Sequence, residues 1–238
     1  MNNVSSPISS ITVNDKMQFT IAALLTIVPA VLGHGLITSP PSRPVGPAII
    51  ANCGPKVEQD IRLDNTSHVE GLPELAAKDT KYNAAKCNLW QCKGLQFADN
   101  MNNTQLWHAG QVIPIKVWVR IPHEGSANVS IVDTKSDKII GSMLKVWSKG
   151  YAPGKKESDV PQDQKEFSVT VPTGLEEKCA TAGACVSFHN IEGYIYANND
   201  KQVLQWWWYG VAAKQTYESC VDFKIVKSAP AVQRAFRA

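Results

Sequence analysis

Residues 111–121 read QVIPIKVWVRI. Ile113, Ile115, Val117, Val119 and Ile121 alternate with Pro114, Lys116, Trp118 and Arg120. A period of two sends successive side chains to opposite faces, so this stretch predicts a strand with one apolar face turned inward. Pro114 has no N–H to give to a ladder, which places the start or the edge of a sheet there. Outward from it, similar strands are expected over 127–132, 166–171 and 219–226, with a short aromatic strand at 204–209. Gly, Pro, Asn or Asp turn residues bound each one. No convincing amphipathic helix stands out, although 81–90 has room for a short one. Several short strands with Gly/Pro-rich connections predict an all-β fold, an immunoglobulin- or fibronectin-III-like sandwich with long loops and disulfides.

The chain has 238 residues, 44% hydrophobic and 19% charged, enough for one sizeable core and without the bias of disordered or collagen-like sequence. Lys227, Arg234 and Arg237, all in the tail 227–238, account for the whole net charge of +3. A basic nucleic-acid-binding body is thereby excluded. At the other end, 17–33 read MQFTIAALLTIVPAVLG, an apolar run ending in small residues, as in an export signal. The run 21–32 is too short to span a bilayer and contains Pro29. Cleavage is expected after Gly33, with 1–16 as an upstream extension. The chain then divides into a signal (1–33), one domain (34–226) and a basic tail, and is expected to be secreted, monomeric and without membrane or nucleic-acid partners.

Export places Cys53, Cys87, Cys92, Cys179, Cys185 and Cys220 in an oxidising compartment and favours disulfides. A zinc knuckle is the rival, but no two cysteines have C-x2-C spacing and no His lies close by. Sequence proximity favours Cys87–Cys92 and Cys179–Cys185, leaving Cys53–Cys220. Asn65-Thr-Ser, Asn102-Asn-Thr and Asn128-Val-Ser are candidate glycosylation sites.

A chain that begins at His34 gains a ligand set that no internal histidine supplies. The α-amine and the imidazole Nδ1 of one residue chelate a metal together, and neutral nitrogen donors favour Cu(II). An amine pKa of about 8 makes deprotonation on binding easy near neutrality. Four histidines compete to supply a third nitrogen. His68 and His108 lie in polar loop sequence, and His189 lies in a stretch that fits the rest poorly. His123 directly follows the strongest strand, in RIPHEG, where a rigid element presents a loop residue. The plain alternatives are that His34 only marks where the signal ended and that His123 caps a turn.

These residues carry a resemblance. HGLITSPPSRPVGPA from His34 resembles the mature start of lytic polysaccharide monooxygenases, secreted copper enzymes with an N-terminal His. YNAAKCNLWQCKGLQFADN, PHEGSANVSIVDT, KCATAGACV, LQWWWYG and QTYESCVDF follow in the order seen in auxiliary-activity family 16, a fungal group whose known members act on cellulose. The resemblance runs from His34 to about Val226. It implies one copper ion held by the amine and Nδ1 of His34 and by His123, the histidine brace, with Tyr217 as the axial aromatic and Gln215 beside the oxygen ligand. The implied activity is oxidative cleavage of β-1,4 bonds in crystalline polysaccharide, by O2 or H2O2 and an external reductant or redox partner protein. Cellulose with C1 oxidation is the expected case; chitin and hemicellulose stay open.

No pair of carboxylates is marked out by context as a glycosidase pair. Substrate docking is expected around His34, with Ser39, Ser42, Arg43 and Glu124 nearby. In Trp206-Trp207-Trp208-Tyr209, strand alternation assigns most of the rings to core packing rather than to a sugar platform. Two other classes compete with the enzyme: a non-catalytic extracellular copper-binding protein that keeps the brace, and a carbohydrate-binding module in which His34 is incidental.

The sequence departs from the family in the loop before Cys87, whose length differs, and most of all at 187–203 (SFHNIEGYIYANNDKQV). Removing those residues restores a continuous GACVLQWWWYG. The segment has the form of a retained in-frame intron, and the sequence of the transcript decides whether it belongs to the protein.

Overall fold

The computed structural model describes residues 33–175, 188–189, 195–196 and 202–226. The export signal, Cys179–Cys185, most of 187–203 and the basic tail lie outside the described residues. Strand β1 (His34–Ser39) is followed by helices α1 (Pro47–Cys53), α2 (Pro55–Leu63) and α3 (Leu72–Ala77), then by β2 (Gln105–Trp107), β3 (Val112–Ile121), β4 (Gly125–Asp133), β5 (Lys138–Ile139) and β6 (Lys145–Tyr151). A short helix α4 (Gln162–Lys165) leads into β7 (Glu166–Thr170). Strands β8 (Phe188–His189) and β9 (Ile195–Tyr196) pair with each other, and β10 (Gln202–Gly210) and β11 (Gln215–Ile225) complete the fold.

Two sheets face one another in an immunoglobulin-like sandwich. One has the order β1-β3-β7; the other runs β2-β11-β10-β4, with β5 and β6 both pairing β4. Ile113, Ile115, Val117 and Val119 of β3 are buried while Val112, Pro114, Lys116, Trp118 and Arg120 are exposed, the alternation expected of this strand. Opposite them pack Val129 and Ile131 of β4, Leu204, Trp206 and Trp208 of β10, and Tyr217, Val221 and Phe223 of β11. Pro114 pairs only with Ser168 of β7, because β1 joins β3 from Lys116 onward, so its missing N–H costs no ladder bond on that side.

The Trp run behaves as strand alternation requires. Trp206 and Trp208 are fully buried. Trp207 and Tyr209 lie on the other face, half-buried and stacked on each other. Inside, Trp206 Nε1 donates to the Tyr151 hydroxyl, which donates to the Gln164 carbonyl. Buried aromatic N–H and O–H groups are thus satisfied.

Helices are the main departure from expectation. Residues 81–90 form turns, while helices occupy 47–63 and 72–77. Each of these three begins with proline in its first turn, a position where the missing N–H costs nothing. Ile49, Cys53, Val57 and Ile61 recur every four residues and, with Leu72, Ala76 and Leu89, form a second small core. No side chain of its own caps α1; Asp99 does so from outside, accepting from the Ala48 and Ile49 amides at 2.8 and 3.0 Å. Asp99→Ala is expected to cost about 1 kcal/mol, the usual worth of a helix cap, measured by urea unfolding.

The cysteines divide between the cores, which corrects two of the expected pairings. Cys53 bonds Cys87, and Cys92 bonds Cys220. Cys87 and Cys92 are near in sequence, but the turns between them send the first into the helical core and the second against Val132 and Val203 of the sandwich. Arg43 is a second tie: its guanidinium is buried, holds both oxygens of Asp222 and donates to the Leu95 carbonyl. It is therefore an internal ion pair and not a contact on an exposed docking face. Ser42 likewise turns its hydroxyl to the Ile37 carbonyl, while Ser39 and Glu124 are exposed.

The last two residues of 187–203 belong to β10. Val203 is fully buried and pairs with Val132 and Asp222. Excision of the segment would bring Val186 to that place.

Candidate metal centre

Three separate strand ends deliver the expected site residues to one place. His34 opens β1 opposite Ile121 of β3, His123 follows that strand, and Gln215 and Tyr217 open β11. Gly33 reports their proximity. A methyl group at its Cα would meet the Tyr217 hydroxyl at 2.4 Å and His123 Cδ2 at 3.0 Å. The amide of Gly33 points to Gln215 Oε1, 3.4 Å away. The backbone nitrogen of His34 is one peptide bond from this cradle, and only a glycine fits there. Gly35 is also crowded, with a Cβ position 3.0 Å from the Trp206 ring and 3.1 Å from the Trp118 carbonyl, so β1 lies close against the sandwich.

His123 is 9% exposed, and its Nε2 is buried with no hydrogen-bond partner. A buried polar nitrogen without a partner costs about 1–3 kcal/mol, which a ligand at this position would offset. Burial, and then the neighbouring His34, pull the His123 pKa below that of a free imidazole, so the ring is neutral and its lone pair available at pH 7. The backbone beside it is fixed, since Trp208 Nε1 donates to the His123 carbonyl at 3.1 Å.

Tyr217 stacks on Trp208 with ring centroids 4.3 Å apart, and its hydroxyl donates to Gln215 Oε1 at 2.6 Å. Burial, reinforced by Glu70, holds the phenol above its ordinary pKa despite the opposing Gly33 amide. It therefore stays protonated, its O–H is spent on Gln215, and it offers no phenolate.

His34 is held from its other side. Nε2 donates to Asp64 Oδ2 at 2.7 Å, which leaves Nδ1 as the acceptor nitrogen of the ring. Burial pulls the Asp64 carboxyl up, but hydrogen bonds from Thr66, and then the neighbouring His34 and Arg120, outweigh it and hold the carboxyl below its ordinary pKa.

Among the described residues, no three His, Cys, Asp or Glu side chains come together to hold a metal. His34 and His123 each bring an imidazole to this place, and a metal held by both would need a further donor. The donor chemistry and the orphaned His123 nitrogen fit a small cation that prefers nitrogen ligands.

Several residues here were not legible as neighbours. The ring of His68 lies edge-on to Tyr217, 6.5 Å between centroids, although polar loop sequence gave no sign of it. The Glu70 carboxylate accepts from the Thr216 amide and so anchors the start of β11. His108 sits in the turn between β2 and β3, with Nδ1 3.1 Å from the Ala109 carbonyl. The side chain of His189 lies outside the described residues. Of the sequons, Asn65 and Asn102 are exposed, and Asn128 lies within β4, accepting from the Ser130 hydroxyl. A groove of about 720 Å3 lined by Tyr82, Trp90, Gln96 and Phe97 includes none of the candidate ligands.

No protein-family model matches the chain, and no curated protein matches it. Among solved structures it is similar to a lytic polysaccharide monooxygenase of family AA10 from Streptomyces lividans, at 14% identity and TM-score 0.31, over 51% of this chain and 59% of that one. A Bacillus amyloliquefaciens CBM33 protein in complex with Cu(I) matches at 13% identity and TM-score 0.36, over 81% and 99%. A cellulose-active lytic polysaccharide monooxygenase in complex with copper matches at 12% identity and TM-score 0.38, over 82% and 100%. Likeness of this degree decides neither family nor ligand.

Proposed function

We propose that the chain, cut before His34, is a secreted copper-dependent monooxygenase acting on crystalline β-1,4-linked polysaccharide, with cellulose as substrate and C1 as the carbon oxidised. The reading is carried by His123 Nε2, buried without a partner beside Gly33 and Tyr217. Cleavage turns the backbone nitrogen of His34 from an amide, which binds metals poorly, into an amine. It also removes Gly33 from in front of Tyr217 and Gln215. The amine, Nδ1 of His34 and Nε2 of His123 are then three neutral nitrogen donors for one copper ion. With a reductant and O2 or H2O2, copper supplies the oxidising power that hydroxylates a sugar C–H, after which the glycosidic bond breaks by elimination.

The protein's own residues have narrower tasks. The two imidazoles bind, Trp208 holds the His123 backbone, and protonated Tyr217 fixes the Gln215 amide by donating to its oxygen. Gln215 is thereby left with its N–H2 to donate toward the space that Gly33 vacates. Asn65, Asn102 and Asn128 carry N-glycans in this reading if the secreting cell is eukaryotic.

The test is mass spectrometry of soluble products from the copper-loaded chain beginning at His34, given cellulose and chitin separately with ascorbate and H2O2. Aldonic-acid oligosaccharides from cellulose are expected. Copper-loaded protein that releases no oxidised product from either polymer overturns the enzymatic reading and leaves a copper-binding protein.

A further inference from the structure

We infer that Asp64 is the positioning residue of the candidate centre: it holds the His34 ring by Nε2 so that Nδ1 is presented alongside the nitrogen of the same residue. The inference rests on the histidine-brace reading and adds to it a carboxylate that lies far from His34, His123 and Tyr217 in sequence.

Both oxygens of the Asp64 carboxylate are fully engaged. Oδ2 of Asp64 receives His34 Nε2 at 2.7 Å and Arg120 Nη2 at 2.6 Å. Oδ1 receives the Thr66 amide at 2.9 Å and the Thr66 hydroxyl. Four donors on two oxygens fix the plane of the carboxylate, and a fixed acceptor fixes the ring that donates to it. An imidazole that donates through Nε2 carries its lone pair on Nδ1, the only ring nitrogen near enough to the residue's own backbone nitrogen to share a metal with it.

The loop bearing Asp64 is itself anchored. Asp64 ends α2, its amide donating to the Asp60 carbonyl at 3.1 Å. The Thr66 carbonyl accepts from the Gly35 amide at 3.0 Å, tying the loop to β1 one residue past His34. From the other side, Lys93 buries its ammonium and donates to the carbonyls of Asn65 and Ser67. A lysine buried this completely is rare without a structural task, and here it holds the two residues flanking Thr66. Asp64 is thus set on a rigid support, as a residue that orients a ligand has to be.

The test uses chains beginning at His34, comparing the parent with Asp64→Asn and Asp64→Ala by copper titration, Cu(II) EPR and nitrogen NMR of the metal-free protein. In the parent, the neutral ring of His34 is expected as the single Nε2–H tautomer. Asp64→Ala is expected to mix the tautomers, alter the EPR spectrum and weaken copper binding about 10- to 100-fold. Asp64→Asn, nearly isosteric, keeps the loop folded and is expected to fall between the two; it carries the test if the alanine chain does not fold. Tautomer, spectrum and affinity all equal to the parent in a folded variant would overturn the inference, even if the variant melts earlier. A parent that binds no copper overturns the histidine-brace reading instead, and the tautomer then judges Asp64 alone.

Discussion

His123→Ala is expected to abolish stoichiometric copper binding at neutral pH. Apparent binding energies of about 10–16 kcal/mol for four-ligand zinc sites correspond to about 3 kcal/mol per donor. The loss of one of three nitrogens therefore weakens binding more than about a hundredfold, at 1.4 kcal/mol per decade. The fold should survive, because Trp208 bonds the backbone carbonyl of residue 123 and not its ring. The ring nitrogen that disappears is one that folding had buried without a partner. Melting of the metal-free protein is thus expected to change little while the copper isotherm collapses. Unchanged tight binding by this variant would remove His123 from the ligand set.

Replacing Cys92 and Cys220 by alanine is expected to cost the most stability of any change considered. The bond closes a loop with a sequence separation of 128 residues. Loop-closure entropy gives about 5 kcal/mol for a loop of that length, comparable with the whole stability of many domains. It is also the covalent tie between the loop that follows the helical layer and β11, the strand that carries Gln215 and Tyr217. Urea unfolding of the double variant should show a transition lowered by several kcal/mol or no folded baseline. By contrast, Cys53–Cys87, with a separation of 34, lies within the helical core. Its loss is expected to cost less and to leave the sandwich transition in place. A Cys92/Cys220 variant as stable as its parent would refute the assignment of that bond as the main tie.

The sandwich was legible wherever a strand has one wet face. Strand β3 alternates because its outer face meets solvent, and its boundaries were read within one residue. Strand β11 was read as 219–226, although it begins at Gln215. From Thr216 to Phe223 every residue is buried, because the outer face of the strand lies under the helical layer and its loops. Glu218 and Asp222 are buried on that outer face, and Ser219, on the inner face, accepts from the Ile37 amide at 3.0 Å and interrupts the apolar half of the alternation between Tyr217 and Val221. The helices were missed for a different reason. Proline commonly marks a turn, yet Pro47, Pro55 and Pro73 each stand in a first helical turn, and the four-residue recurrence from Ile49 to Ile61 was the overlooked signal. At the candidate site, His34 was marked out by the end of the export signal, His123 by the end of a strand, and Gln215 and Tyr217 by the family resemblance alone. Asp64, His68 and Glu70 were not, because they arrive on a loop whose approach depends on Lys93, Thr66 and the Cys92–Cys220 bond. No local pattern encodes that approach.

The two separate cores have a thermodynamic consequence. On the proposed reading, the metal is bound by residues of the sandwich but steadied by Asp64 at the end of α2, so the site spans both cores. Small cores open more often than large ones, and amide hydrogens in the helices exchange with solvent each time they do. An opening that reaches the 64–67 loop withdraws Asp64 from His34 while the sandwich stays intact. Linkage makes the effect reciprocal: a cation that binds better with Asp64 in place must slow the opening of the helices by the same factor. Deuterium uptake across 47–77 would then report occupancy of a centre to which none of those residues is a ligand, and chelation would hasten it while leaving β3, β4 and β10 protected.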